Sequence, residues 1–181
     1  MIYLEPKRRV KVAFTDISRD GNFYEIHDDS WFPAKEIYRT LPVETELTLN
    51  RKGKNRVEVR GFLRTGVRLK CDRCLADYDF AVDIAFHLIL EVPAEEHWCV
   101  KELECSDQDL DTVLLLDPVV DFGDILRQQL YLSLPDKWLC SQECKGLCPS
   151  CGIDLNRAIC SCVQEVPSSP FAVLASLKKS R

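Results

Sequence analysis

The sequence is poor in the residues that most often carry catalysis. Its three histidines, at positions 27, 87 and 97, stand neither beside a motif serine nor in an H-E-x-x-H arrangement. Glycine is scarce, seven in 181 residues. No glycines form a phosphate-cradling G-x-x-x-x-G-K, a G-x-G-x-x-G or a G-x-S-x-G. These absences exclude the nucleotide-hydrolysing, dinucleotide-binding and serine-hydrolase classes, and no enzyme is expected. No apolar run approaches the about 20 residues that cross a bilayer, and Met1–Pro6 has no apolar segment of the signal-peptide kind. A soluble cytoplasmic protein without membrane contact or a small-molecule substrate is the expectation.

What the chain has in quantity is cysteine: ten residues, six of them between Cys140 and Cys162. The turn Cys148-Pro149-Ser150-Cys151-Gly152 has the shape of a zinc knuckle, two thiolates two residues apart with a glycine where other residues are crowded. Cys160 and Cys162 follow, so a short loop closes four thiolates around one tetrahedral ion. Cys140 and Cys144 need partners, and Cys71-Asp72-Arg73-Cys74 offers a second C-x-x-C. Two sites are therefore expected: one from Cys148, Cys151, Cys160 and Cys162, the other from Cys71, Cys74, Cys140 and Cys144. One or two Zn(II) ions bound this way are structural, because four thiolates leave no open position for water or substrate. A disulfide framework and a redox C-x-x-C are the competing readings, and the shared pairing of so many cysteines favours metal. His97, Cys99 and Cys105 have irregular spacing and read as a loop.

Charge is segregated. The total is −5 with a pI near 5.3. Yet Arg51–Arg73 holds nine Lys or Arg against Glu58 and Asp72, while Glu91–Asp124 holds eleven acids against Lys101. A basic segment presents a local field to a polyanion whatever the total.

Along the chain, Val10, Val12 and Phe14 alternate as a first strand, Asp20-Gly21-Asn22 makes a turn, and Phe23–Ile26 returns. Pro33–Arg39 is expected to form a turn or more of helix, and Glu46–Asn50 a strand. From Val57 to Cys71 the odd positions are apolar and the even positions carry Arg60, Phe62, Arg64, Arg68 and Lys70. Gly61 and Gly66 suggest bends or bulges. Tyr78, Phe80, Val82, Ile84, Phe86, Leu88 and Leu90 form the apolar row of a second long strand, so Cys71–Cys74 falls at a hairpin tip. Val113–Leu116 reads as a short strand or a packed loop. Asp121 caps a helix running to about Ser133, which Pro135 stops. Phe171, Leu174 and Leu177 mark a short helix in the tail.

The row Arg56, Arg60, Phe62, Arg64, Arg68, Lys70 and Arg73 has the chemistry of an RNA-binding face, guanidinium groups for phosphates and a ring for an unpaired base. A solvated face balanced by the chain's own acids is the alternative.

The Cys71-Asp72-Arg73-Cys74-Leu75 turn, the Leu134-Pro135 helix end, the block from Cys144 to Asn156 and Pro170-Phe171-Ala172-Val173-Leu174 resemble the YceD-like proteins, the large ribosomal RNA subunit accumulation proteins. The resemblance runs from about Leu47 to Leu177. It implies a bacterial or plastid factor that supports synthesis, processing or stability of large-subunit ribosomal RNA, without known catalytic activity. Its partners would be that RNA or its precursor, with ribosomal proteins or assembly factors. A zinc-stabilised protein adaptor without nucleic-acid contact is the other reading. The expected fold is α+β: a mostly antiparallel sheet or partly open barrel with one long helix over residues 1–134, a cysteine-rich zinc-binding segment over 135–165, and a tail with a short helix over 166–181.

Overall fold

A computed structural model describes residues 11–93 and 111–162. The expected tail helix, His97, Cys99 and Cys105 lie outside these residues.

The long alternating stretches become the two longest strands. β1 (Lys11–Ala13), β2 (Asn22–Glu25), β3 (Tyr38–Arg39), β4 (Glu44–Arg51), β5 (Arg56–Lys70), β6 (Asp77–Glu91), β7 (Thr112–Leu114) and β8 (Val119–Asp121) precede a single described helix, α1 (Phe122–Ser133). One sheet runs in the order β2-β4-β5-β6-β7, with β3 also paired to β5, and β1 and β8 form a separate two-stranded ribbon. The sheets are open, so the barrel alternative does not hold. The antiparallel pattern also breaks once: β7 pairs with β6 in parallel, because the chain leaves the end of β6 and returns by a longer connection rather than a hairpin.

The alternation of β5 buries one row. Val57, Val59, Leu63, Val67 and Leu69 pack with Leu47 and Leu49 of β4 and Val82 and Leu90 of β6. Helix α1 contacts β5 and β6, and its buried Phe122, Ile125, Leu126 and Leu130 join the same core. Asp121 caps the helix, its carboxylate accepting from the N–H groups of Gly123 at 3.0 Å and Asp124 at 3.3 Å. Tyr24 meets Phe122 edge-on at 5.0 Å, and Arg127 Nε donates to the Trp31 carbonyl at 3.0 Å. These contacts hold the loop before β3 against the helix.

One local expectation is met only at its minimum and another fails. Pro33–Arg39 makes a single turn, with the N–H groups of Glu36 and Ile37 donating to the Pro33 carbonyl, and then enters β3. Pairing of Tyr38 and Arg39 with β5 outweighs the local helical preference. Gly61 and Gly66 are not bulges, since the β5–β6 register passes through both without interruption. They are glycines because space is occupied: a Cβ on Gly61 would lie 2.7 Å from the Glu46 carbonyl oxygen and 2.9 Å from the Phe86 ring, besides meeting Leu47.

Gly61→Ala is therefore expected to cost about 2 kcal/mol through overpacking. A urea midpoint equal to the parent's, at unchanged slope, would refute this close approach.

Candidate metal centres and the basic sheet face

Cys71 continues the inner row of β5, after Val67 and Leu69, and so points towards the core side of the sheet end. The chain then turns over residues 71–76. Leu75 N–H donates to the Cys71 carbonyl at 2.9 Å and Cys71 N–H to the Ala76 carbonyl at 2.9 Å, with Leu75 at φ +60°. That turn brings Cys74 beside Cys71. Helix α1 ends at Ser133, and the chain that follows is clamped to the turn by Asp72. Its N–H donates to the Trp138 carbonyl at 2.7 Å and its carboxylate accepts from the Trp138 N–H at 2.8 Å. Cys140 and Cys144 are thereby delivered to the first pair. Cys71 Sγ lies 3.8 Å from Cys144 Sγ, and Cys74 Sγ 3.6 Å from Cys140 Sγ.

The second quartet is local. Gly146, at φ +74°, lets the chain pass the turn closely: a Cβ there would stand 3.0 Å from the Arg73 carbonyl oxygen. The knuckle closes as Cys148 N–H donates to the Ile153 carbonyl and Gly152 N–H, at φ +73°, to the Cys148 carbonyl, both at 2.8 Å. Cys160 Sγ lies 3.4 Å from Cys148 Sγ and 3.5 Å from Cys151 Sγ, with Cys162 completing the set.

In each quartet all four sulfurs lie within 4.8 Å of one another, and all eight cysteines are free. A tetrahedral ion with metal–sulfur bonds of about 2.3 Å separates its sulfurs by about 3.8 Å. The spacing and the all-sulfur donor set thus suit a metal ion, and two clusters of four are able to hold one each. Electrostatics point the same way. Burial disfavours the Cys71 thiolate, but backbone N–H groups of Cys140, Cys74 and Arg73 outweigh it and bring the thiol down to about 6. The neighbouring sulfurs of Cys74 and Cys144 push Cys140 up to about 12. The second cluster repeats this: N–H groups of Cys151 and Ser150 lower Cys148 to about 6, while Cys160 and Cys151 raise Cys162 to about 12. One thiol of each set ionises readily; four thiolates together need a cation between them.

Sequence reasoning missed the supporting residues. Asn156 Nδ2 donates to Cys144 Sγ at 3.3 Å while its Oδ1 accepts from the Lys145 N–H at 2.8 Å, so it links the two clusters. Its place in the C-x-x-C-G-x-x-x-N run was a visible signal. Arg73 donates to the carbonyl oxygens of Cys144 at 2.9 Å and Gln142 at 3.4 Å. It therefore stands at the first cluster rather than in the arginine row.

The remaining predicted row lies on the outer face of β5, and the register sets it opposite acids and a histidine of β6: Arg56 faces Glu91, Arg60 faces His87, Arg64 faces Asp83, Arg68 faces Asp79 and Lys70 faces Asp77. Ion pairs form at 3.7 Å for Arg56–Glu91, 2.9 Å for Arg64–Asp83 and 2.8 Å for Arg68–Asp79; Arg68 holds Asp79 below the usual carboxylate range. Arg64 also lies over the Phe62 ring at 5.1 Å. Two exposed aromatics absent from the predicted row share this face. Phe23 pairs with Thr48, which pairs with Arg60, and Tyr38 pairs with Arg68.

Glu58 anchors one end of the face, its side chain only 7% exposed beneath Arg60 at 2.7 Å, His87 at 2.9 Å and Lys52 at 3.1 Å. Burial opposes its ionisation, but the hydrogen bonds from Lys52, His87 and Arg60 prevail and bring the carboxyl down to about 2. With the folded value below the unfolded one of about 4.3, this group stabilises the native state above that pH and the contribution is lost as pH falls towards 2. Glu58→Gln is expected to cost about 1–2 kcal/mol near neutrality, with the gap to the parent closing between pH 4.3 and 2. A gap that stays constant across that window in denaturation curves would contradict the assignment.

The family described as "Large ribosomal RNA subunit accumulation protein YceD" matches residues 59–178. A chloroplastic YCED homolog 1 of Arabidopsis thaliana, also named as a large ribosomal RNA subunit accumulation protein, is 28% identical over 167 residues, covering 81% of this chain and 51% of its own. Its Zea mays counterpart is 29% identical over 143 residues, covering 67% and 48%. An uncharacterized protein of Mycobacterium bovis is 25% identical over 142 residues, covering 76% and 66%. The chain thus spans about half the length of the plant relatives it matches. No solved structure matches it. With the family's span covering most of β5 and all of β6, α1 and both cysteine clusters, the chain belongs to the YceD family of large ribosomal RNA subunit accumulation proteins.

Proposed function

We propose that this chain is a non-catalytic factor that supports the accumulation of large-subunit ribosomal RNA in the cytoplasm by binding that RNA, its precursor or an assembly intermediate. The observation that carries the reading is the outer sheet face, where Arg56, Arg60, Arg64 and Arg68 are interleaved with Phe23, Tyr38 and Phe62. Phosphates suit the guanidinium groups and unpaired bases suit the rings. Arg60 is held by the buried Glu58, but the carboxylate pairs of Arg56, Arg64 and Arg68 are exposed, more than half for both Arg64 and Asp83. Such pairs contribute at most about 1 kcal/mol and exchange readily for phosphate. Lys70 extends the row, and Arg73 lies beyond it at the first cysteine cluster.

Cys71, Cys74, Cys140 and Cys144 hold one Zn(II) in this reading, and Cys148, Cys151, Cys160 and Cys162 a second. Zinc supplies the positive charge that gathers the thiolates; its four-sulfur shell has no open position, in keeping with a scaffold rather than a reaction centre. The second reading, a protein adaptor without nucleic-acid contact, is favoured by the exposed Leu114, at the end of edge strand β7, and the exposed Leu116 just after it.

Native mass spectrometry is expected to find two zinc ions per chain. Cys71→Ser should leave one and lower the melting temperature by about 10 °C or more, since the first centre joins distant segments. Cys162→Ser should also leave one but shift melting by no more than about 3 °C. A folded, metal-free parent would overturn both centres.

Replacing Arg60, Arg64 and Arg68 together by Glu should weaken binding to ribosomal RNA at least about tenfold and reduce the slope of log K against log salt by about 2–3. Unchanged affinity in a variant with full zinc content favours the adaptor.

A further inference from the structure

The outer face does not run flat to its end. Where β5 meets the cysteine turn, β3 and the segment after α1 border a shallow, open cleft of about 390 Å³, lined by Glu36, Tyr38, Arg68, Lys70, Asp77 and Trp138 among others. Its parts are held in place. Trp138 is fixed through both main-chain groups to Asp72. The Glu36 carboxylate accepts from the Tyr131 hydroxyl. Arg68 is gripped by Asp79 at 2.8 and 3.2 Å and lies over the Tyr38 ring at 5.6 Å. Tyr38 itself is 66% exposed, an unusual degree for an aromatic residue in a paired strand. Lys70 is exposed at the same place. Unlike Arg56, Arg60, Arg64 and Arg68, it is held by no carboxylate among the described residues.

We infer that this cleft is a binding site for one unpaired nucleotide of a single strand, with an amino-bearing base; the inference rests on the RNA-binding reading above and gives that face a point of selection. The rings of Tyr38 and Trp138 offer planar apolar walls for a base. Glu36 and Asp77 are acceptors, which match the exocyclic amino group of cytosine, adenine or guanine and find no such donor on uracil. Lys70 supplies an ammonium to a phosphate, while Arg68, already occupied by Asp79, holds Tyr38 in position. A duplex keeps its bases stacked inside and has none to place here.

The test is fluorescence anisotropy on the full chain with labelled single strands of cytidines or uridines and with a duplex, each variant checked for parental zinc content and circular dichroism. The cytidine strand should bind more tightly than the uridine strand. Tyr38→Ala and Lys70→Ala should each weaken it about tenfold, at least about threefold more than they weaken the duplex, and Tyr38→Phe should keep parental affinity. If the parent binds the strands and both alanine variants match it, the cleft is overturned and the RNA-binding reading stands. Equal losses on strand and duplex overturn it too, as a general effect on the face. A folded parent that binds no RNA removes both readings.

Discussion

The pairing of β5 with β6 decides the rest of the molecule. The two strands stay in register from Arg56 opposite Glu91 to Lys70 opposite Asp77 without a bulge. That one register places the apolar row of each strand on the core side, sets the arginines of one strand against acids and a histidine of the other, and brings the chain to its turn at Cys71–Cys74. A slip of one residue would reverse every side chain across the sheet. It would expose Val59 and Leu63, bury Arg60 and Arg64, and turn Cys71 away from the segment after α1. The core, the charged face and the first cysteine cluster are thus three consequences of a single alignment.

The cysteine clusters complete what the sheet cannot. Cys71, Cys74 and Cys144 are buried together with little apolar company, chiefly Ala76, Tyr78, Leu139 and Leu147. So small a cluster buries too little surface to hold the chain after α1 by hydrophobic burial alone. An ion shared by this quartet would draw its ligands from both sides of the intervening sheet strand, acidic stretch and helix. It would therefore close a long loop whose entropy cost grows only slowly with length. The second cluster closes a short loop and leaves Cys151 and Cys162 exposed. Asn156 and Arg73 tie it to the first, so the order of dependence runs from sheet to first centre to second.

Much of this was legible because several local signals agreed. For α1, the Asp121 cap, the spacing of Phe122, Ile125, Leu126 and Leu130, and the stop at Pro135 all describe the same helix. For β5 and β6, strict alternation over many residues left no competing period. The two sets of cysteines that the spacing pairs are the sets whose sulfurs the structure brings together. What was not legible depended on contacts between segments. β8 is three residues long and carries no period, and β7 gains its place only by pairing with β6. Pro33–Arg39 follows β5 rather than its own preference. Gly61 looked like a bulge because sequence shows a missing side chain but not the Phe86 ring and Glu46 carbonyl beside it. Phe23 and Tyr38 joined the arginine face only once strand order was known.

The balance of charge on that face follows from the same alignment and bears on how an acidic chain meets a polyanion. Read singly, β5 is a basic comb; read with β6, nearly every arginine has its own counterion. An approaching phosphate must displace a carboxylate that stays nearby and repels it, so the gain per contact is smaller than for a bare guanidinium. Weak charge contacts leave discrimination to the groups that have no internal substitute. Among the described residues of this face those are the Phe23 ring and the ammonium of Lys70, together with the sides of the Phe62 and Tyr38 rings that Arg64 and Arg68 leave uncovered. On the RNA-binding reading proposed above, a surface built this way would hold non-specific duplex poorly and favour strands whose bases are free to stack. A net charge of −5 would then work as a filter against indiscriminate binding rather than as an argument against RNA.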